Sequence, residues 1–324
     1  MYIANDENGN QIFAQEAKKQ QSYFCPVCDT PVVLKAGNIK VPHFSHQHIM
    51  QCSRYLYKRE SMLHLKLKHD LYLELNKYYD TAMEFYLESI EQIPDLLINK
   101  YWALEIQLSR ISPELILSRT EGYYKLGMKV MWLLDERELK QEGQFLHLNH
   151  FQMSTMTNDA VYTIDSKTLE INAWHIGHTA GLNYFLYKKE KIEISEVIKP
   201  MWSPCWEDTF KLTKNMMKRI IRRGKSQKSV QNKTLTYMYQ LGLTQESLPE
   251  FLYITSLHEK YIINSPVEWK LYIYYHLSKG IFNRADFYDY IKVRTLPDAP
   301  EKNILIQSLL AFYLKVFRIS KDIA

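Results

Sequence analysis

The alternation of apolar and polar positions is most regular between Ile93 and Gln107, where it predicts a β-hairpin. Two β-rich apolar runs flank an Asn99-Lys100 turn, and Trp102, Leu104 and Ile106 alternate with Ala103, Glu105 and Gln107. A two-residue turn pairs Ile98 with Tyr101 and sends Asp95 and Glu105 to opposite faces. A three-residue turn, Asn99 to Tyr101, pairs Ile98 with Trp102 and sets Asp95 directly across from Glu105. It also gathers Leu96, Ile98, Trp102, Leu104 and Ile106 on the other face. A slip of one residue reverses every side chain, so register should follow the apolar face. The three-residue turn is the expectation.

Other elements follow from the same patterns. Residues 2–4 and 11–14 flank an Asn8-Gly9 turn signal, residues 16–21 are helix-compatible, and 32–34 and 39–41 read as strands. From Tyr55 to about Lys77, Leu63, Leu67, Leu71 and Leu75 form an i, i+4 helical stripe, with Glu60 on nearly the same face and His64 and Lys68 along its edge. Residues 82–90 read as a strand in which Met83, Phe85 and Leu87 alternate with Glu84, Tyr86 and Glu88. Ser112-Pro113 opens, and Gly127 closes, a helix carrying Arg119 and Tyr123. A buried strand, 129–134, comes next, and the helix serves as a crossover that makes it parallel to the strand before. Residues 161–164 and 169–171 suggest a second hairpin. From about 205 onward the pattern is mostly helical, over 207–223, 235–241, 249–261, 266–278, 284–293 and 303–318.

At 324 residues the chain exceeds one typical core, and we divide it at 1–54, 55–137 and 138–324. No apolar run reaches bilayer length, the N-terminus lacks a signal-peptide pattern, and the four cysteines suit a reducing compartment. A cytoplasmic protein with no membrane partner is expected. The net charge of +5 is unevenly placed: between Met201 and Thr234 six Lys and three Arg face only Glu207 and Asp208. Lys218, Arg219, Arg222, Arg223, Lys225 and Lys228 crowd into eleven residues. A solvated helix end would show such cations too, but a groove for a polyanion is the reading their density favours.

Two groups of residues carry candidate chemistry. Cys25 and Cys28, then His43 and His46, have the paired spacing of a tetrahedral zinc site, with His48 and Cys52 as rival ligands. A reduced Cys-x-x-Cys with surface histidines is the bland counterpart. Structural zinc is favoured because about fifty residues bury little core of their own. Asp95 and Glu105, a cross-strand distance apart, repel unless a proton or cation intervenes. A hard divalent ion is the natural occupant, although acids on a solvated strand face would look the same.

The order of these residues resembles the competence protein CoiA-like family. Met1-Tyr2-Ile3-Ala4, Tyr23-Phe24-Cys25-Pro26-x-Cys28, His43-Phe44-Ser45-His46, Glu60-Ser61-x-x-His64, Pro94-Asp95, Glu105-Ile106-Gln107-Leu108-Ser109, Arg119 to Tyr123 and Val130 to Leu134 carry the likeness. The resemblance is specific over residues 1–135 and looser beyond. It implies a restriction-endonuclease-like PD-(D/E)xK α/β core; together with the patterns above, the expectation is a multidomain protein with a zinc-ribbon-like N-terminal module ahead of that core and a helical C-terminal domain after it. It further implies a role in natural transformation, acting on single-stranded or branched DNA alongside the RecA recombinase. The catalytic residues would be Glu60, Asp95, Glu105 and Gln107. Mg²⁺ or Mn²⁺ would be held by Asp95, Glu105 and the Ile106 carbonyl, with Glu60 completing the shell. Gln107 stands where the superfamily has lysine. Lys66 or Lys68 then becomes the source of positive charge, or the site binds DNA without cutting it, as a non-catalytic adaptor for the recombinase.

Overall fold

Asn99 and Lys100 both take left-handed backbone, with φ of 50° and 57°, and with Tyr101 they form a three-residue turn. In this computed structural model the hairpin strands therefore pair Ile98 with Trp102, Leu97 with Ala103 and Leu96 with Leu104, the register that the apolar face demands. The structure describes residues 1–37, 42–47, 52, 61–181, 183–199, 204–226 and 232–322, with side chains left out at 223–226 and 318–322. It is a mixed α/β protein in two compact units. The first comprises 1–138, 161–173 and 190–201; the second comprises 139–160, 174–189 and 202–324.

The first unit opens with a small antiparallel sheet of β1 (Ile3–Asn5), β2 (Gln11–Phe13), β3 (Tyr23–Phe24), β4 (Pro31–Lys35) and β5 (His43–His46), in the order β2-β1-β3-β4-β5. Among the described residues its buried core gathers Ala4, Ala14, Tyr23, Cys25, Val32, Phe44 and Cys52. Turns replace the helix expected over 16–21; the expected strand 39–41 lies outside the described residues. Then come α1 (Met62–Leu75), capped by the Ser61 hydroxyl, β6 (Thr81–Met83), β7 (Leu96–Ile98), β8 (Trp102–Gln107), α2 (Pro113–Lys125) and β9 (Lys129–Asp135). As expected, α2 crosses over between parallel β8 and β9. Strand Ala160–Ile164 adds to β9 in parallel.

Two expectations for this unit are corrected. The strand expected over 82–90 stops at Met83, because Glu84 adopts φ 52° and turns the chain into an irregular segment. On α1 the buried face is Leu65, Leu67, Lys68, Leu71 and Leu75, while Leu63 is exposed. The stripe is thus rotated toward Lys68, which packs inward because acids await it.

In the second unit strands Lys140–Glu142 and Phe145–His147 pair antiparallel, and Thr209–Lys211 pairs with Ile254–Ser256. The helix expected from 207 begins only at Lys214, after Thr213 caps it through the Met216 N–H. The helix expected over 249–261 is two 3-10 turns around strand Ile254–Ser256. Helices Lys233–Gln240, Pro266–Ser278, Arg284–Tyr290 and Lys302–Asp322 complete the unit. Among the described residues no helix is long and apolar enough to cross a membrane.

Left-handed backbone costs a side-chain-bearing residue about 1 kcal/mol. Lys100→Gly should therefore raise the free energy of unfolding by up to about that amount in denaturant titration. A loss of stability would show that the turn is not held as described.

Candidate functional site: an acid row and a cysteine cluster

The hairpin register extends naturally to Asp95 and Glu105. Met83 pairs with Leu96, and the Glu84 N–H donates to the Asp95 carbonyl at 3.1 Å, so Glu84, Asp95 and Glu105 stand in a row across three neighbouring segments. None is solvated in the way a polar strand face would be. Glu84 is 6% exposed and Glu105 2%, and Ala103 beside Glu105 on β8 is fully buried. Buried carboxylates require positive partners, and two helices supply them.

Helix α1 serves Glu84 and Asp95. Lys68 Nζ, itself 1% exposed, donates to Glu84 Oε1 at 2.7 Å and to Asp95 Oδ1 at 3.3 Å. His64 Nε2 lies 3.0 Å from the same Asp95 oxygen. His64, Lys68, Leu71 and Leu75 are spaced i, i+4, i+7 and i+11, so the helix presents them together. Asp95 Oδ2 accepts the Ile106 N–H at 2.8 Å, just past the last hairpin pair. Burial alone would push the Asp95 carboxyl up; the His64 and Lys68 charges and these hydrogen bonds hold it well below the usual carboxylate range. Glu84 is further tied by the Tyr2 N–H, 3.3 and 3.1 Å from its two oxygens. Tyr2 also stacks on His69 with centroids 4.9 Å apart, fixing the amino-terminal strand to α1.

Helix α2 serves Glu105. Glu105 pairs with Trp132 across β8 and β9, and residues directly paired share a face. The Trp132 indole N–H donates to Thr120 on α2 at 3.0 Å, so α2 covers that face. Arg119, four residues before Tyr123, lays its guanidinium 5.3 Å over the Trp132 ring and donates to Glu105 Oε1 at 2.5 Å and to the Ile93 carbonyl at 3.1 Å. The Tyr123 hydroxyl donates to the same Oε1. Glu105 Oε2 has no hydrogen-bond partner among the described residues. Burial pushes the Glu105 carboxyl up; Arg119 opposes it, the Asp95 charge adds to it, and the outcome is about 7.

The expected site residues are thus distributed as follows. Asp95 and Glu105 come together in register, but their oxygens are drawn to different helices. Gln107 is half-buried on β8, and its amide nitrogen donates to the Ser109 carbonyl at 2.5 Å. Glu60 lies outside the described residues. Of the two lysines weighed as substitutes, Lys66 is exposed and Lys68 reaches the acids. Glu84 did not register as a site residue; its only sequence signal is an acid one position from a strand end, facing Lys68 sixteen residues away. Among the described residues these acids do not gather three ligand atoms into one metal cluster.

One group does. Cys25, Cys28, His46 and Cys52 place their ligand atoms within 4.8 Å of one another. Two Zn–S bonds of tetrahedral geometry put their sulfurs ~3.8 Å apart, and Cys25 Sγ and Cys52 Sγ are 3.9 Å apart; a disulfide would bring them to about 2.0 Å. Cys28 Sγ lies 3.4 Å from His46 Nε2. The Cys25–Cys28 turn is set by the Asp29 N–H donating to the Cys25 carbonyl and by left-handed Asp29 at φ 54°. The donor set fits a structural metal such as zinc. His43 does not join it, and Cys52 takes its place. On β5, residues three apart point to opposite faces, so His46 turns in beside Phe44 while His43 turns away. The rival His48 lies outside the described residues.

Of the basic patch, Lys218, Arg219 and Arg222 are exposed on helix Lys214–Ser226. Arg219 pairs with Glu142 at 2.7 Å, so part of its charge is already balanced. The side chains of Arg223 and Lys225, and Lys228 altogether, lie outside the described residues.

Metal analysis checks the cluster. The chain should carry one tightly held zinc, lose it in Cys52→Ser and keep it in His43→Ala. Chelation should lower the melting temperature, and the reverse pattern in the two variants would return His43 to the ligand set.

Residues 60–199 match the family model described as competence protein CoiA, nuclease-like domain, and residues 7–55 match the model of the competence protein CoiA N-terminal domain. A curated relative, Competence protein CoiA of Bacillus subtilis (strain 168), is 32% identical over 141 residues, which is 42% of this chain and 36% of the relative. The match thus spans little more than a third of that protein's length. No solved structure matches the chain significantly. The two matched stretches carry the cysteine cluster and the acid row, and through them the chain belongs to the competence protein CoiA family.

Proposed function

We propose that the chain is a metal-dependent deoxyribonuclease of the cytoplasm that processes incoming DNA during natural transformation, alongside a RecA-type recombinase. Its core would be of the restriction-endonuclease type. The observation that supports this most is the in-register burial of Asp95 and Glu105 on neighbouring segments, with Glu105 Oε2 left without a hydrogen-bond partner among the described residues. Their hard oxygens are the donors that Mg²⁺ or Mn²⁺ takes; burial first and the Asp95 charge second raise the Glu105 carboxyl, and a divalent ion would offset both. Asp95, Glu105 and the Ile106 carbonyl would hold the ion, with Glu60 beside them. When bound, it would supply Lewis-acid stabilisation to the phosphate.

The protein's own groups prepare the rest. Lys68 brings to Asp95 the positive charge that Gln107 cannot offer. Glu84 positions Lys68, and the Tyr2 N–H positions Glu84. Arg119 and Tyr123 fix Glu105 through one oxygen only. Gln107, with its amide nitrogen on Ser109, keeps Oε1 to accept a hydrogen from the attacking water. The cysteine cluster, loaded with zinc, would brace the amino-terminal ribbon, and Lys218 and Arg222 would contact the DNA backbone.

A second reading, a non-catalytic DNA-binding adaptor for the recombinase, is favoured by the same Gln107, whose nitrogen turns to the main chain instead of toward the acids.

The two readings separate on labelled single-stranded, duplex and branched DNA with Mn²⁺. The nuclease reading predicts cleavage that Asp95→Ala and Glu105→Ala abolish while DNA binding persists. Metal-independent binding without cleavage of any of the three forms would establish the adaptor instead. Glu84→Gln should lower the cleavage rate about tenfold, ~1.4 kcal/mol of transition-state stabilisation, with DNA affinity unchanged. An unaltered rate would remove Lys68 positioning from the account.

A further inference from the structure

The second unit holds a buried cation that no acid balances. Arg294 is 9% exposed, and its partners are neutral oxygens: Nε donates to the Lys260 carbonyl at 3.2 Å and Nη2 to the Asn183 side chain at 2.6 Å. Among the described residues no carboxylate lies within ion-pair distance of it. The unit's buried lysines are treated differently, Lys260 pairing with Asp159 at 2.8 Å and Lys270 with Glu259 at 3.1 Å. Burial lowers the Arg294 guanidinium to about 10 with nothing to restore it. Proteins seldom leave a buried charge so, because the desolvation cost goes uncompensated.

Arg294 lines an open crevice of about 540 Å³. Lys292 and Lys302 line it too, and Asp289 is its lone acid. Lys302 is steadied by the Tyr288 ring, with Nζ 4.3 Å from the centroid. Helix Lys302–Asp322 starts at the same place, so its N–H end adds to the positive field. Three cations against one carboxylate leave a net charge of +2. A single carboxylate ligand would not balance that charge. A phosphate dianion, or two successive phosphodiesters, would, and guanidinium and ammonium donors suit phosphate oxygens.

We infer that the crevice around Arg294, Lys292 and Lys302 is a phosphate-binding site, taking either the backbone of a nucleic-acid strand or the phosphates of a nucleotide. It lies apart in sequence from the acid row and does not depend on the nuclease reading.

The test uses the full chain, the Lys292→Gln/Lys302→Gln double variant and Arg294→Gln. Lys292 is exposed and Lys302 half-buried, so the double variant should keep the wild-type fold by circular dichroism even where Arg294→Gln does not. Inorganic pyrophosphate should raise the melting temperature of the wild type, and the double variant should lose that shift. A fluorescent single-stranded oligonucleotide, followed by anisotropy, should bind the double variant with a salt slope smaller by about 1.4, for two lost phosphate contacts. A lost pyrophosphate shift with an unchanged oligonucleotide slope identifies a nucleotide-type ligand, and loss of both identifies a nucleic-acid strand. If the double variant keeps both the shift and the slope, or pyrophosphate never shifts the wild type and the slope does not change, the inference is overturned. Asp95→Ala should leave every one of these readouts unchanged, which keeps this test separate from that of the nuclease reading.

Discussion

The structure depends on the burial of acids inside a sheet covered on both faces. Glu84, Asp95 and Glu105 sit where water does not reach them freely, and each carboxylate must find positive charge within the protein or bring it in. Helix α1 meets this demand with Lys68 and His64, and α2 with Arg119 and the Tyr123 hydroxyl. That demand explains why α1 turns a lysine inward where a leucine stripe would have been simpler. It also explains why Glu105, buried first of all and repelled by Asp95 as well, keeps its proton to unusually high pH. A site strained in this direction is suited to take up a divalent cation.

The amino-terminal ribbon meets a different shortage. Among the described residues the buried core is small, and the four ligand atoms brought together from Cys25, Cys28, His46 and Cys52 could hold a metal such as zinc, which would supply the cross-link that so little apolar burial does not. The same ribbon reaches the acid row through the Tyr2 main chain, which donates to Glu84, and through the Tyr2–His69 stack. Cross-linking the ribbon and ordering the acids are therefore mechanically connected.

Much of this was legible in the sequence, and the failures have physical causes. The hairpin register could be read because only an odd-length turn aligns Leu96, Ile98, Trp102, Leu104 and Ile106. The crossover helix could be read because Ser112-Pro113 and Gly127 mark its ends. Glu84 could not, because simple alternation continues through it, and the break comes from a backbone that only the tertiary pairing with Lys68 and Tyr2 justifies. Paired spacing favours His43 over Cys52, but a β-strand carrying His43 and His46 necessarily turns them apart. Lys68 was legible only as a substitute for the missing lysine at Gln107, since local pattern gives no reason to bury a cation. In the second unit, strand Ile254–Ser256 hid inside an apparently helical run because its flanking 3-10 turns share helical spacing.

The central claim is that the Asp95–Glu105 pair is a cation site. Crystals of the full chain grown with Mn²⁺ and measured for anomalous scattering address it directly. The account predicts a peak bound by one Asp95 oxygen and by Glu105 Oε2, with Arg119 still on Oε1. A map with no peak there, and both carboxylates paired only with Lys68, His64 and Arg119, would contradict it.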